Sequence, residues 1–146
     1  MAAKQSRAEA VWENDLIHGS GRVKGGSGVL PELGVSWSAR TEAFGGRTSP
    51  EELLAAAHAS CFAMGLSNTL AKMQAPPQRL EVTAVATFDK VGDGFSVTTM
   101  ELTVTGRVAG IDATKFEEAA RSASVGCPIS RALKGNVEVR VRAKLA

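Results

Sequence analysis

Residues 48–73 have the sequence TSPEELLAAAHASCFAMGLSNTLAKM, and this stretch decides the fold because it is long, apolar and uninterrupted. Ser49 suits the N-cap of a helix, Pro50 suits its first position, and Glu52 stands three residues after the cap, as a capping box requires. No proline follows until Pro76, so the sequence predicts a helix of roughly 24 residues. Apolar side chains occupy nearly every side of it, which is typical of a buried central helix.

Strand patterns flank this helix on both sides. The sequence predicts strands at residues 7–13, 22–24, 35–41, 80–88, 95–108 and 137–144, and helices at 112–124 and from Cys127 to near Gly135. The turn-forming residues 89–94 join the two long strands as a hairpin. This order of elements predicts an α+β protein with a mainly antiparallel sheet. With 146 residues and no internal repeat or linker, we expect one domain over residues 1–146.

The composition excludes several classes of function. Hydrophobic residues make up 44% and charged residues 22%, which are values of a globular protein rather than a disordered or fibrous one. The net charge is only +2, and the basic residues are dispersed along the chain. Five Phe, two Trp and no Tyr are too few rings for a platform on which nucleic-acid bases stack. We therefore expect no nucleic-acid partner.

The apolar segments favour a cytoplasmic protein. Residues 1–10 lack the apolar core of a signal peptide. The most apolar run, Leu53 to Leu66, is about 14 residues long and is interrupted by His58 and Ser60, whereas a membrane span needs ~20. We expect no membrane partner and a cytoplasmic location. Cysteines in that compartment are more often reduced, catalytic or metal-linked than paired in structural disulfides.

The only two cysteines, Cys61 and Cys127, are the best indication of function. Cys61 lies within the apolar helix, where burial raises the pKa of a thiol, so a reactive Cys61 needs a cation nearby. Cys127 precedes Pro128 at a predicted helix start, where the helix N-terminus lowers the pKa of a thiol. The plainer interpretation of each is a packing residue in the core or in a turn.

Arg40 and Glu51 are candidates for the charged groups that Cys61 needs. Arg40 lies on the polar side of the predicted strand at residues 35–41, and arginine keeps its charge when desolvated. If Glu52 serves the cap, Glu51 is free to orient Arg40 through a bidentate contact. The plainer alternatives are that Glu51 stabilises the helix dipole and that Arg40 is a solvated strand residue.

The spacing of Glu51 and Cys61 limits how they can share a site. Ten residues separate them, which corresponds to ~15 Å along a straight helix, so their side chains cannot touch. Either Arg40 bridges them from outside the helix, or Glu51 comes from a second copy of the chain. The second arrangement predicts a homodimer whose active sites lie at the interface.

Other chemistries have weaker support. His58, three residues before Cys61, and the more remote Asn68 would suit a cysteine hydrolase, but all three lie on one helix instead of converging from separate elements. Two cysteines, His18 and His58 lack the paired spacing of metal ligands, so we expect no metal, and we interpret His18 as a surface or turn residue. The glycines of residues 19–28 do not form a dinucleotide-binding fingerprint.

Two motifs resemble the OsmC/Ohr family of osmotically inducible and organic hydroperoxide resistance proteins. Residues 48–62, TSPEELLAAAHASCF, are similar to its signature helix, and residues 125–130, VGCPIS, are similar to its second cysteine motif. The resemblance covers nearly the whole chain. Arg40 and His58 resemble the OsmC branch, whereas the Ohr branch would place its arginine near Arg22. This resemblance implies an intertwined homodimer built around a central helix.

The resemblance also implies an activity and residue roles. It implies a thiol-dependent peroxidase without haem, flavin or metal, in which Cys61 attacks the peroxide and Cys127 resolves the sulfenic acid into a disulfide. An external thiol or dithiol would then reduce that disulfide. Arg40 would stabilise the Cys61 thiolate, Glu51 would hold Arg40, and Arg22 is the alternative cation. Apolar surroundings of Cys61 would suit an organic hydroperoxide. The alternative is a non-catalytic redox sensor or ligand-binding protein with the same fold.

Overall fold

The computed structural model describes residues 1–146, which form two compact units, Met1–Leu53 and Leu54–Ala146. The elements in chain order are β1 (Ala8–Glu13), β2 (Ser20–Gly25), β3 (Leu33–Val35), α1 (Trp37–Thr41), α2 (Pro50–Lys72), β4 (Arg79–Val91), β5 (Gly94–Arg107), α3 (Ala113–Gly126), α4 (Pro128–Leu133) and β6 (Glu138–Leu145). The predicted α+β class and mainly antiparallel pairing are confirmed. One domain over residues 1–146 stays a prediction.

The first unit contains an antiparallel sheet in the order β1-β2-β3. Every residue of β1 is exposed, including the apolar Val11 and Trp12. Trp12 pairs with Gly21 on β2, and a Cβ atom at Gly21 would lie 2.7 Å from the Trp12 ring, so only glycine fits beside it. Among the hydrophobic residues of this unit only Ala39 is buried. Within one chain, this sheet therefore has almost no hydrophobic core of its own.

Residues 35–41 do not form the predicted strand. β3 ends at Val35, and α1 begins immediately after the N-cap residue Ser36. The Ser36 hydroxyl accepts a hydrogen bond from the backbone N–H of Ala39 at 3.2 Å. The alternation of apolar and polar residues predicted a strand, but a capping serine competes with sheet pairing and starts a helix instead. The prediction was wrong, and Arg40 consequently lies in the last turn of a short helix.

Helix α2 begins and ends where the sequence predicts. The Ser49 hydroxyl accepts from the backbone N–H of Glu52 at 3.1 Å, which confirms the cap. The Glu52 carboxylate accepts from the Thr48 hydroxyl at 2.5 Å and not from the Ser49 N–H, so the second half of the predicted capping box is replaced by this contact. After the last turn the chain passes through Gln74, whose φ of 60° is left-handed. Backbone hydrogen bonds of a Schellman motif close the helix there, ahead of Pro76.

Only one face of α2 is buried within the chain. The side chains of this face, spaced four residues apart, have no exposed surface: His58, Phe62, Leu66 and Leu70. The opposite face is solvent-accessible, and Met64 on it is 68% exposed. The predicted burial on every side is therefore not reached in a single chain. With 23 residues, α2 has close to the predicted length. By length and composition it meets the criteria for a membrane span, as core helices of soluble proteins also do.

The second unit contains the sheet β4-β5-β6. β4 and β5 form the predicted antiparallel hairpin, which turns at Gly92 with a φ of 61°, and β6 pairs in parallel with β5. A Cβ atom at Gly106 of β5 would lie 2.4 Å from the Phe116 ring, so glycine allows this ring of α3 to lie against the strand. The predicted cap of α3 is confirmed, because Asp112 accepts from the Lys115 N–H at 2.8 Å.

One hydrophobic cluster joins the sheet of the second unit to its helices. Its fully buried members are Phe62, Leu66, Leu70, Met100, Leu102, Val104, Phe116 and Ala120. Cys127 is part of the same cluster, and Cys61 packs against it. The packed core of this unit therefore fixes the two helix segments that carry the cysteines.

Candidate active site

The two cysteines lie side by side in the second unit. Cys61 belongs to α2, and Cys127 is both the C-cap of α3 and the N-cap of α4. Their sulfur atoms are 3.1 Å apart, and both thiols are free. Since a disulfide bond measures about 2.05 Å, a shift of about 1 Å would join them. The structure thus brings together two candidate residues that are 66 positions apart in sequence.

The two thiols differ in acidity. Burial raises the pKa of Cys61, and the contact with Cys127 raises it further. Burial also acts to raise the pKa of Cys127. Hydrogen bonding to the backbone N–H of Ser130, to the Cys61 thiol and to the backbone N–H of Ile129 outweighs burial, so the pKa of Cys127 is lowered overall. The Ser130 hydroxyl adds to this lowering of the Cys127 pKa. No short capping hydrogen bond reaches the sulfur, so these groups act at slightly longer range from the first turn of α4.

In the first unit, Arg40 and Glu51 form a bidentate ion pair. Arg40 Nη2 donates to Glu51 Oε1 at 2.6 Å, and Arg40 Nε lies 3.2 Å from both carboxylate oxygens. Glu51 is only 7% exposed. The guanidinium carbon of Arg40 also lies 5.6 Å from the centroid of the Trp37 ring, within the range of a cation–π contact. The arginine is therefore held in one orientation from two sides.

Arg22, the alternative cation, has a different environment. It lies on β2, about half of its side chain is exposed, and its Nε is 3.6 Å from Glu32 Oε1. An exposed pair at this distance holds a side chain only weakly. Of the two arginines, Arg40 is thus the one that the structure holds firmly and pairs with Glu51.

An apolar cavity of about 300 Å³ adjoins Arg40 within the first unit. Its lining consists of Trp12, Leu16, Val35, Ser36, Trp37, Arg40 and Pro50. Trp12 and Leu16 come from a part of the chain where the sequence indicated only a strand and a turn. Whether these two side chains line the cavity depends on the register of the sheet, which a single sequence does not reveal. The cavity has the size of a small-molecule pocket and contains one fixed positive charge.

His58 does not pair with Cys61. Its Nε2 atom lies 2.7 Å from the Ser130 hydroxyl oxygen, while its Nδ1 atom is buried without a partner. Burial lowers the pKa of His58. Asn68 is exposed on α2, so the arrangement of a cysteine hydrolase is not assembled. No group of three or more His, Cys, Asp and Glu side chains is placed to hold a metal ion. His18 lies in an exposed turn and pairs with Asp15, as expected of a surface residue.

The four candidate site residues thus form two pairs. Arg40 and Glu51 lie in residues 1–53, and Cys61 and Cys127 lie in residues 54–146. That all four serve one site stays a prediction. Sequence reasoning missed Ser130, although its spacing of three residues from Cys127 matches the spacing of His58 from Cys61.

Comparison with known proteins decides the family. The family described as "OsmC-like protein" matches residues 43–142 of the chain. The chain belongs to the OsmC-like protein family. It is 38% identical to Peroxiredoxin OsmC of Escherichia coli (strain K12) over 138 residues, which cover 94% of this chain and 96% of that protein. It is 31% identical to Organic hydroperoxide resistance protein OhrB of Bacillus subtilis (strain 168), with 86% and 90% of the two chains covered.

Solved structures agree with this OsmC-like assignment at the level of the fold. A crystal structure described as an organic hydroperoxide resistance protein OsmC from Legionella pneumophila superposes with a TM-score of 0.77 at 23% identity. The match covers 99% of each chain. The higher identity to the E. coli OsmC protein than to the B. subtilis OhrB protein agrees with the OsmC branch that the motifs resemble.

Proposed function

We propose that this OsmC-like protein is a cysteine-based peroxidase that reduces organic hydroperoxides, with hydrogen peroxide as a second candidate substrate. The observation that carries the proposal is the pair of free sulfur atoms 3.1 Å apart in a packed core. The relatives named peroxiredoxin and organic hydroperoxide resistance protein support a role with peroxides. The proposed catalytic residues are Cys61, Cys127, Arg40 and Glu51.

The proposed cycle has three steps. The Cys61 thiolate attacks one peroxide oxygen, the O–O bond breaks, and the departing alkoxide takes a proton to become an alcohol, which leaves Cys61 as a sulfenic acid. Cys127 then attacks the Cys61 sulfur, so an S–S bond forms, the S–O bond breaks and water leaves. An external thiol or dithiol reduces the disulfide and regenerates both thiols. None of these steps uses a haem, a flavin or a metal, so we propose that the enzyme needs no cofactor.

Arg40 has the properties that the first step requires. Because burial raises the pKa of Cys61, its thiolate needs a compensating positive charge. The same charge would stabilise the negative charge that develops on the leaving oxygen. We assign this role to Arg40 rather than to Arg22, since the bidentate contact with Glu51 fixes its guanidinium group. Glu51 is then a positioning residue for Arg40.

We propose that the site is completed in a homodimer. β1 is exposed along its entire length, the first unit has a single buried hydrophobic residue, and α2 leaves the apolar Met64 uncovered. A second copy of the chain would cover these surfaces and would bring its Arg40 and Glu51 to Cys61, consistent with the ten-residue separation along α2. We also place the protein in the cytoplasm, where thiol reductants keep cysteines reduced.

Steady-state turnover of cumene hydroperoxide with a dithiol reductant tests the peroxidase. We expect many turnovers per protein molecule and none for Cys61→Ser. Protein that consumes one equivalent of peroxide and then stops would contradict catalysis and favour the redox sensor. In Cys127→Ser, the first turnover should persist while Cys61 accumulates as an over-oxidised acid, which intact mass measures.

A dilution series in analytical ultracentrifugation tests the dimer, and a fully active monomer would contradict it.

A further inference from the structure

Two polar contacts connect α2 with the start of α4. The two residues that α2 contributes are three positions apart, and so are the two residues that the start of α4 contributes. The first is the contact of Cys61 with Cys127 at 3.1 Å, and the second is the contact of His58 Nε2 with the Ser130 hydroxyl at 2.7 Å. Residues three apart on a helix lie on the same side, so the two contacts are adjacent. The proposed cycle uses the first contact and leaves the second without a role.

The hydrogen bond between His58 and Ser130 has a definite direction. His58 has no exposed surface, and its Nδ1 atom has no partner. An unpaired buried N–H group is less tolerable than an unpaired acceptor, so the proton belongs on Nε2 and Nδ1 is the bare acceptor. His58 Nε2–H therefore donates to the Ser130 oxygen. The hydroxyl proton of Ser130 remains free to donate elsewhere.

The candidate acceptor for that proton is the sulfur of Cys127. Ser130 lies in the first turn of α4, three residues after Cys127, and its hydroxyl favours the thiolate form of this cysteine. A hydroxyl group that accepts a hydrogen bond becomes a stronger donor. His58 thus holds the Ser130 side chain at the start of α4, three residues from Cys127, with the hydroxyl proton left available for a thiolate there.

We propose that His58 and Ser130 are positioning residues for the resolving step, which hold α4 against α2 and direct a hydroxyl group to the Cys127 thiolate. This inference rests on the proposed peroxidase cycle. In the resolving step, the Cys127 thiolate attacks the sulfur of the Cys61 sulfenic acid, so Cys127 is oxidised and the sulfenic sulfur is reduced. The S–O bond breaks, and the departing hydroxide takes the proton that Cys127 lost, which yields water.

Rapid-mixing kinetics separate this role from the first step. Reduced protein is mixed with one equivalent of cumene hydroperoxide, peroxide loss reports sulfenic acid formation, and alkylation quenching with intact mass reports disulfide formation. For Ser130→Ala we expect an unchanged first step and a resolving step about threefold to tenfold slower. His58→Leu should slow the same step. His58→Gln, which keeps a donor group, should restore much of the rate.

Ser124→Ala is the matched control, because Ser124 is a buried serine whose backbone carbonyl accepts from the Cys127 N–H and whose side chain is not part of the contact with His58. It should resolve at the wild-type rate. Wild-type resolution in both Ser130→Ala and His58→Leu would overturn the inference, as would equal slowing of the two steps in His58→Gln. If the wild-type protein forms no sulfenic acid on Cys61, the peroxidase proposal itself fails, and that result is visible before any variant is compared.

Discussion

The two candidate pairs occupy regions of very different construction. Cys61 and Cys127 belong to a unit whose helices and sheet share one buried cluster, so packing fixes the distance between the sulfur atoms. Arg40 and Glu51 belong to a unit with almost no core, in which hydrogen bonds and a ring contact hold the charged groups. Position and reactivity would then have separate origins: the core places the thiols, and the charged pair is the group that we propose activates one of them.

The largest expected effect is on the core beneath the thiols. Phe62→Ala removes a fully buried ring next to Cys61 and should lower the free energy of unfolding by about 3–5 kcal/mol. Phe95→Ala is the matched control, since Phe95 is 49% exposed and stacks on Phe88 with centroids 5.2 Å apart. It should cost about 1 kcal/mol. Urea denaturation measures both, and equal losses would break the contrast between packed and exposed aromatic residues.

The second prediction distinguishes the reactivity of Cys61 from the distance between the two sulfur atoms. Arg40→Met should reduce kcat/KM for cumene hydroperoxide by roughly 100-fold, because it removes the positive charge that we propose stabilises the Cys61 thiolate. Cys61 and Cys127 should still form a disulfide when a chemical oxidant is added, since packing alone sets their distance. Arg22→Met serves as the control and should stay close to wild type. If the Arg22 variant lost activity and the Arg40 variant kept it, the assignment of the cation would be reversed.

Glu51→Gln should have a smaller effect than loss of the arginine. The substitution keeps the shape of the side chain and leaves Arg40 charged, but it weakens the bidentate contact that orients the guanidinium. We expect kcat/KM to fall about tenfold, with the thermal midpoint little changed. Glu52→Gln, one residue further along α2, is the control because it alters only the contact with Thr48. Equal losses in both variants would indicate damage to the helix start instead of a role for Glu51.

Strong local signals explain which elements the sequence predicts correctly. Ser49, Pro50 and Pro76 bound α2 because caps and prolines act within one or two turns. The same kind of local hydrogen bond explains the failure at residues 35–41. Ser36 starts a helix there, whereas the hydrophobic pattern alone favours a strand. Periodicity over seven residues is too short to exclude either structure.

The residues of the candidate site that lie in a sequence motif or beside a helix cap could be predicted from the sequence. Cys61 and Cys127 stand in two recognisable motifs, and the free Glu51 follows from the assignment of the cap. Ser130 and the cavity lining from β1 were not predictable, because both depend on contacts across helices and strands that are distant in sequence. A single sequence also contains no information on what covers the exposed face of α2.

The smallest effect is on the pH dependence of stability, where the two thiols should act in opposite directions. Folding lowers the pKa of Cys127, so its stabilising contribution is present above the pKa of the unfolded thiol and is lost as the pH falls through the folded value. Folding raises the pKa of Cys61, so its contribution is present at low pH and is lost as the pH rises through the folded value. Reduced Cys61→Ser and Cys127→Ser, each unfolded in urea between about pH 6 and about pH 10 and compared with the double variant, isolate the two contributions.

The sign of the Cys61 contribution then tests whether the two regions act together. The raised pKa of Cys61 reflects burial and the neighbouring thiol, with no guanidinium among its causes. If the Arg40 of a second copy reaches Cys61, the folded pKa of this thiol should drop below the unfolded value at protein concentrations where the dimer forms. Stability of Cys127→Ser should then increase with pH instead of decreasing, and Arg40→Met in the same background should restore the decrease. A decrease at every concentration, with or without Arg40, would mean that the charged pair does not act on the thiolate.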